Sequence, residues 1–143
     1  MATTSRALSQ LADTLRAAGL RVTAPRERVY AAVTEAPHST PEALIERVNA
    51  TAPALPASSV YRALECLEEV GVVSHTHLDH RAPTYHLADH AEHLHLVCRV
   101  CGAVVESPAG VADGLVADLE REHGFVADVT HMAIQGECAQ CRS

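Results

Sequence analysis

The amino-acid sequence predicts an α+β fold in two parts, a helical N-terminal half closed by a β-hairpin and a small mixed half fastened by cysteines. Three observations carry that prediction. Apolar residues recur at helical spacing as far as Val70, the period changes to two from Val72 onward, and the pairs Cys98/Cys101 and Cys138/Cys141 bracket the second half.

Leu8, Leu11 and Leu15 mark a first helix that Gly19 stops. Thr23 is placed to cap a second, with Pro25 in its first turn and Val29 and Val33 facing inward. Thr40-Pro41 starts a third, carrying Leu44, Ile45 and Val48. Ser58 or Ser59 caps a fourth, with Val60, Leu64, Leu67 and Val70 inward and Gly71 at its end. Short capped helices joined by tight turns predict a helix-turn-helix bundle. Residues 72–77 and 84–87 then read as two strands joined by a turn at 79–83, the hairpin that a winged-helix domain needs. Residues 88–92 are polar and read as a linker. Alternation returns at 93–97 and 104–106; Val111, Leu115 and Leu119 give a helix ended by Gly124; residues 126–134 read as a last strand. The expected boundaries are 1–87 for a winged-helix domain, 88–92 for a linker and 93–143 for a small α/β metal-binding domain.

A chain of 143 residues, 48% hydrophobic but only 3% aromatic, must build its cores from Leu, Val, Ala and Ile. No stretch reaches the roughly 18 apolar residues of a membrane span, and no apolar run follows the N-terminus. A cytoplasmic location is therefore expected, where thiols stay reduced and five cysteines point to metal rather than to disulfides. The net charge of −7 is unevenly spread: residues 1–70 hold seven Arg against eight Asp and Glu, residues 71–143 four against ten. The acidity belongs to the second half, and DNA binding by the first is neither predicted nor excluded by charge.

Two Cys-x-x-Cys pairs supply four soft ligands, enough to close a tetrahedral zinc site. With no open position such a site is structural, and its binding energy is folding energy. Cys66 falls in the fourth helix, far from both pairs, and reads as a half-buried thiol without metal. The histidines describe different chemistry. His93 and His95 stand two apart in an alternating run, so both imidazoles leave one face of a strand while Leu94 and Leu96 leave the other. His75 and His77 repeat the arrangement on the hairpin. Same-face imidazole pairs clamp borderline metals such as Ni, Zn, Cu or Fe. One competing pattern is His75-Thr76-His77-Leu78-Asp79-His80, the H-x-H-x-D-H signature of zinc-dependent hydrolases of the metallo-β-lactamase kind. The segments after it are already committed to the cysteine half, which leaves that hydrolase as the alternative from a different class.

Taken together, Gly19-Leu-Arg-Val-Thr-Ala-Pro-Arg26, Ser59-Val-Tyr-Arg-Ala-Leu64, His93-Leu-His-Leu-Val-Cys-Arg-Val-Cys-Gly102 and Cys138-Ala-Gln-Cys141 resemble the ferric uptake regulator family of metal-responsive repressors. The segment from Val73 to Asp89 is closer still to its nickel-responsive branch, the nickel uptake regulators. The resemblance implies that residues 1–87 are a DNA-binding domain, 88–92 a hinge and 93–143 a dimerisation and metal-binding domain, with a sensor site of His38, His86, His93 and His95 drawing ligands from both domains. Ala91 breaks the histidine run of that branch, so His90 is a possible substitute for His86. It implies a second sensor site of His75, His77 and His131. A further site of other branches would map onto Glu92, Asp113 and His131, but lacks a ligand because Leu94 is apolar. The fourth helix would enter the major groove, Tyr61 against thymine methyls and Arg62 on a phosphate or a guanine edge. Ser59 joins them there, with Arg21 and Arg26 on the backbone. The cofactors so implied are structural Zn(II) and regulatory Ni(II), with Zn(II) or Fe(II) as alternatives. The implied partners are palindromic operator DNA and a second copy of the chain in a homodimer, with no membrane, no small-molecule substrate and no enzymatic activity.

Overall fold

A computed structural model describes residues 2–51, 53–78, 82–88, 93–130 and 132–142. The chain divides into two compact units, Met1–His75 with Ala82–Asp89, and Thr76–Arg81 with His90–Ser143.

The first unit is a winged helix-turn-helix. Its helices are α1 (Ala2–Ala17), α2 (Ala24–Glu35), α3 (Pro41–Asn49) and α4 (Ala57–Glu69), followed by the wing strands β1 (Val73–Thr76) and β2 (Thr84–Leu87). The predicted apolar stripes are its core: Leu11, Leu15, Val29, Val33, Leu44, Val60, Leu64 and Leu67 are all buried, joined by Val73 and Tyr85 from the wing. Burying each such aliphatic side chain favours folding by roughly 1.5–3 kcal/mol. Cys66 belongs to this core at 7% exposure, so it is buried rather than half-buried, because the α4 stripe is wide enough to include it.

Helix starts differ from expectation in two places. Thr40 caps α3 as predicted, its hydroxyl accepting from the Ala43 amide at 3.3 Å. Thr23 precedes α2 but makes no side-chain cap; its carbonyl accepts from the Glu27 amide instead. Helix α4 starts earlier than Ser58 or Ser59 would set it. Pro56 holds the cap position, with its carbonyl taking the Ser59 and Val60 amides at 2.9 and 3.3 Å. Both serines therefore lie in the first turn of α4.

The second unit is built on a three-stranded sheet in the order β4-β3-β5, with β3 (His93–Cys98) central, β4 (Val104–Pro108) antiparallel to it and β5 (Ala133–Gly136) parallel to it. A parallel neighbour needs a crossover connection, here containing a 3-10 turn and α5 (Asp113–His123). Gly124 ends α5 with φ 62°, its amide bonded back to the Glu120 carbonyl and that of Phe125 to Leu119, the left-handed stop that glycine adopts without steric cost. The last strand is shorter than the predicted 126–134. The Asp128 carboxylate takes both the amide and the hydroxyl of Thr130, a local turn that competes with strand pairing. The wing strand likewise ends at Thr76 rather than His77. The hinge residues 89–92, the turn residues 79–81 and His131 lie outside the described residues. No helix among those described is long and apolar enough to cross a membrane.

Candidate metal centre and nucleic-acid interface

The parallel pairing of β3 with β5 creates the sulfur cluster. Its register sets Cys98 opposite Gly136, so both strands finish at the same edge and their cysteine turns meet there. Gly102 turns the first knuckle with φ 74° and returns its amide to the Cys98 carbonyl. In the second, the amides of Cys141 and Arg142 bond the Cys138 carbonyl. The four sulfurs lie within 4.8 Å of one another, and Sγ of Cys101 and Cys138 are 3.8 Å apart. A tetrahedron with zinc–sulfur bonds of about 2.3 Å has edges of about 3.8 Å, so the donors fit zinc in number, type and spacing. The surroundings favour thiolate at Cys98, where amides of Cys101, Cys138 and Val100 lower the thiol to about 6; donation from the Cys141 thiol to the sulfurs of Cys138 and Cys101 pushes Cys141 up to about 12.

The histidine clamp on β3 also forms as its alternation predicts. The ring nitrogens Nε2 of His93 and His95 are 3.2 Å apart, His95 is fully buried, and the His93 side chain is 12% exposed. Register adds a residue that the sequence reading missed. Glu106 on β4 faces His95 across the ladder, and its Oε1 lies 3.5 Å from His93 Nε2. The available signal was the alternation at 104–106, but nothing local states which strand it pairs with. Two imidazoles and a carboxylate on one face are a borderline-metal donor set.

In the first unit, His38 and His86 stand together, with ring centroids 5.4 Å apart. His38 precedes an isolated bridge between Ser39 and Tyr85, and its amide bonds the Tyr85 carbonyl at 2.8 Å. That pins the loop onto β2, next to buried His86. His38 takes φ 63°, an uncommon conformation for a residue with a Cβ. On the wing, His75 Nδ1 faces Glu68 Oε1 of α4, while His77 lies exposed beyond β1. His90 and His131 are among the residues not described, as are Asp79 and His80 of the hydrolase pattern.

Three of the residues expected at DNA share a groove in the first unit. Arg26, Ser59 and Arg62 line a shallow groove with Thr23 and Pro25, where the starts of α2 and α4 meet. Arg21 is exposed and its carbonyl accepts from Arg26. Tyr61 is 41% exposed and its hydroxyl donates to Glu42 at 3.3 Å.

A different face is apolar. Leu96 pairs with Val105 on one side and Ile134 on the other, so the three share the sheet face opposite the β3 histidines. They are 36%, 51% and 44% exposed, and none of the described residues of α5 is buried.

The sequence profile of the ferric uptake regulator family matches residues 17–135. The chain belongs to that family. It is similar to a ferric uptake regulation protein of Campylobacter jejuni, 30% identical over 139 residues that cover 95% of this chain and 88% of the relative. Among solved structures, the ferric uptake regulator of Vibrio cholerae superposes with a TM-score of 0.72 at 25% identity, over 89% of this chain and 98% of that one. A zinc uptake regulator solved with zinc and DNA shares the fold, with a TM-score of 0.68 at 24% identity over 98% and 95% of the two chains. The ferric uptake regulator family comprises metal-dependent transcription regulators rather than enzymes, and this chain is one of them.

Proposed function

We propose that this chain is a nickel-responsive repressor. The observation that carries this reading is its imidazole-rich donor set: the His38–His86 pair in one unit and the His93–His95 pair in the other. An all-imidazole set suits Ni(II) and Zn(II) better than Fe(II). The structural metal is Zn(II), held by Cys98, Cys101, Cys138 and Cys141. The sensor ion takes His38, His86, His93 and His95, with His90 as the possible substitute, and a second ion takes His75, His77 and His131.

Such an ion joins a DNA-reading residue set to a dimerising one. The exposed face of Leu96, Val105 and Ile134 supports a homodimer, since neighbouring exposed apolar side chains on one sheet face favour burial against a partner. Two copies would then present Arg21, Arg26, Ser59, Tyr61 and Arg62 to palindromic half-sites about one helical turn apart. Metal that binds the DNA-competent arrangement more tightly shifts the population toward it, and DNA tightens metal binding by the same factor.

A second reading, zinc- or iron-responsive, is favoured by one observation. Glu106 adds an oxygen donor beside His93, which suits a wider range of divalent ions than imidazole alone. Metal analysis of the purified chain, paired with gel shifts of a randomised-DNA selection across added Ni(II), Zn(II) and Fe(II), decides between the two. Retarded DNA with nickel at lower free concentration than zinc or iron supports the first; the reverse order replaces it with the second. Retardation that ignores every metal would overturn both.

A further inference from the structure

Helix α4 carries Ser59, Tyr61 and Arg62 toward its start, so their placement depends on where that helix begins. The turn before it runs from Ala50, the C-cap of α3, to Pro56, the N-cap of α4. Arg28 reaches this turn from α2. Its guanidinium donates to the Val48 carbonyl near the end of α3 and to the Pro53 carbonyl in the turn, the latter at 2.9 Å. Asn49 closes the turn on itself. Its side-chain amide donates to the Leu55 carbonyl at 3.1 Å, and its Oδ1 accepts from the Leu55 amide at 2.7 Å. Both backbone groups of the residue before Pro56 are thus bonded to one side chain, while the Leu55 side chain packs against the core.

The choice of residue follows from the acceptors. Carbonyls in the last turn of a helix lack intrahelical partners and make that end partly negative, which favours a cation there. A planar guanidinium with several fixed donors can serve two carbonyls at once. Arg26, two residues earlier, lines the groove with Ser59 and Arg62 instead. Residues two apart on a helix do not share a face, so α2 sends one arginine to the groove and the other to the turn.

We infer that Arg28, together with Asn49, is a positioning residue for sequence recognition: it ties the α3–α4 turn to α2 and holds the start of α4 in the register that base contacts need, without itself meeting DNA. The inference rests on the reading of α4 as the helix that enters the major groove. Phosphate contacts carry the part of binding that ignores sequence, whereas base edges are read by hydrogen bonds of strict geometry. A loosened turn therefore costs preference among sequences rather than general affinity for DNA.

The test uses the full chain and two duplexes of equal length, one recovered by wild type from a randomised-DNA selection and one unrelated. Each is titrated at several salt concentrations with the metal that supported the selection. Arg28→Met keeps the aliphatic stem and removes the donors. It is expected to weaken binding to the selected duplex by roughly tenfold, about the loss of one base contact. Binding to the unrelated duplex and the salt dependence of log K should stay as in wild type. Arg28→Lys, which keeps the charge without the fork, is expected to recover part of the preference. Amide hydrogen exchange gives a readout that a general loss of stability does not mimic: Leu55 should exchange faster in Arg28→Met, with Val33 and Leu64 protected as in wild type. An unchanged preference or an unchanged Leu55 exchange overturns the proposal. So does an equal loss on both duplexes; a salt dependence lowered by about one unit per copy then makes Arg28 a phosphate contact. Arg62→Ala separates this failure from that of the underlying reading. An effect on DNA binding there, with none in Arg28→Met, removes the positioning role alone; no effect in either takes α4 out of the groove as well. Should Arg28→Met fail to fold, Asn49→Ala decides by the same comparison: selective loss on the selected duplex supports the proposal, and equal or no loss overturns it.

Discussion

Glu106 lies directly across the β3–β4 ladder from His95, on the face that also carries His93. The buried imidazole and the exposed carboxylate should therefore fail differently when removed. His95→Ala empties a fully buried site and is expected to lower folding stability by about 1–3 kcal/mol. It should also abolish metal-dependent DNA retardation. Glu106→Ala changes a half-exposed side chain, so stability should stay within about 0.5 kcal/mol. Its metal affinity should still fall, by roughly tenfold or more if the carboxylate ligates. Urea unfolding beside metal titration separates the two effects. Wild-type affinity in Glu106→Ala would remove that residue from the donor set.

The backbone at His38 gives a second expectation. A non-glycine residue in the left-handed region costs on the order of 1 kcal/mol, and His38 is held there by its bond to Tyr85. Replacement by glycine relieves that cost, while alanine keeps it and removes the imidazole as well. In metal-free protein His38→Gly should be more stable than His38→Ala by about 1 kcal/mol, although both lose the metal response. Equal stabilities would mean that the loop relaxes out of this conformation once the ring is gone.

Much of this arrangement is legible in the sequence, and the limits have physical causes. Periodicity over a few residues exposes the α4 stripe, the shared face of His93 and His95, and both cysteine knuckles. Each of these is a local property of the chain. Glu106 is not legible, because its place depends on the register between two strands. The conformation of His38 is hidden for a similar reason, since it follows from the bridge between Ser39 and Tyr85. Capping residues were readable at Thr40 but not at α4, where Pro56 fixes the backbone before either serine can act. Apolar residues such as Val111 and Leu115 have helical spacing yet remain exposed in a single copy; periodicity identifies a face without naming what covers it.

The exposed sheet face gives a third prediction. Ile134 is paired with Leu96 at the centre of the apolar sheet surface and is 44% exposed. A charge there costs little in the lone chain and must be desolvated in an interface. Ile134→Asp should shift the protein from dimer to monomer in light scattering, with the cysteine cluster still holding zinc. Binding to DNA with two half-sites should fall far more than binding to a single half-site. An unchanged dimer mass would move the interface elsewhere.

Arg62 is exposed on α4 and lines the groove with Arg26. Arg62→Ala should leave folding stability within about 0.5 kcal/mol. If the guanidinium meets a phosphate, binding weakens uniformly across sequences and the salt dependence of log K drops by about one unit per copy; if it meets a guanine edge, one base position loses preference at a cost of about 1–3 kcal/mol. Titrations of two DNA sequences at several salt concentrations distinguish these outcomes. No change in either quantity would take α4 out of the groove.

The thiol cluster gives a pH prediction whose sign follows from the two displaced cysteines. Cys98 is held near 6 in the folded chain against an ordinary value of 9.0, because backbone amides stabilise its thiolate. Its contribution to stability is present above the ordinary value and is lost as pH falls through about 6. Cys141 is pushed the other way, to about 12, by neighbouring thiols that favour its neutral form. Its contribution is present below 9.0 and is lost as pH rises toward about 12. Chelator-treated protein should therefore gain stability between about pH 6 and 9 and lose it again at higher pH, read as the urea midpoint. Cys98→Ser should flatten the rising limb and leave the falling one. Zinc competes with protons for all four sulfurs, so the zinc-loaded chain should lose stability more steeply on acidification as it releases metal. A metal-free midpoint that does not respond to pH between 6 and 9 would mean that the amides of Cys101 and Cys138 do not hold the Cys98 thiolate in solution.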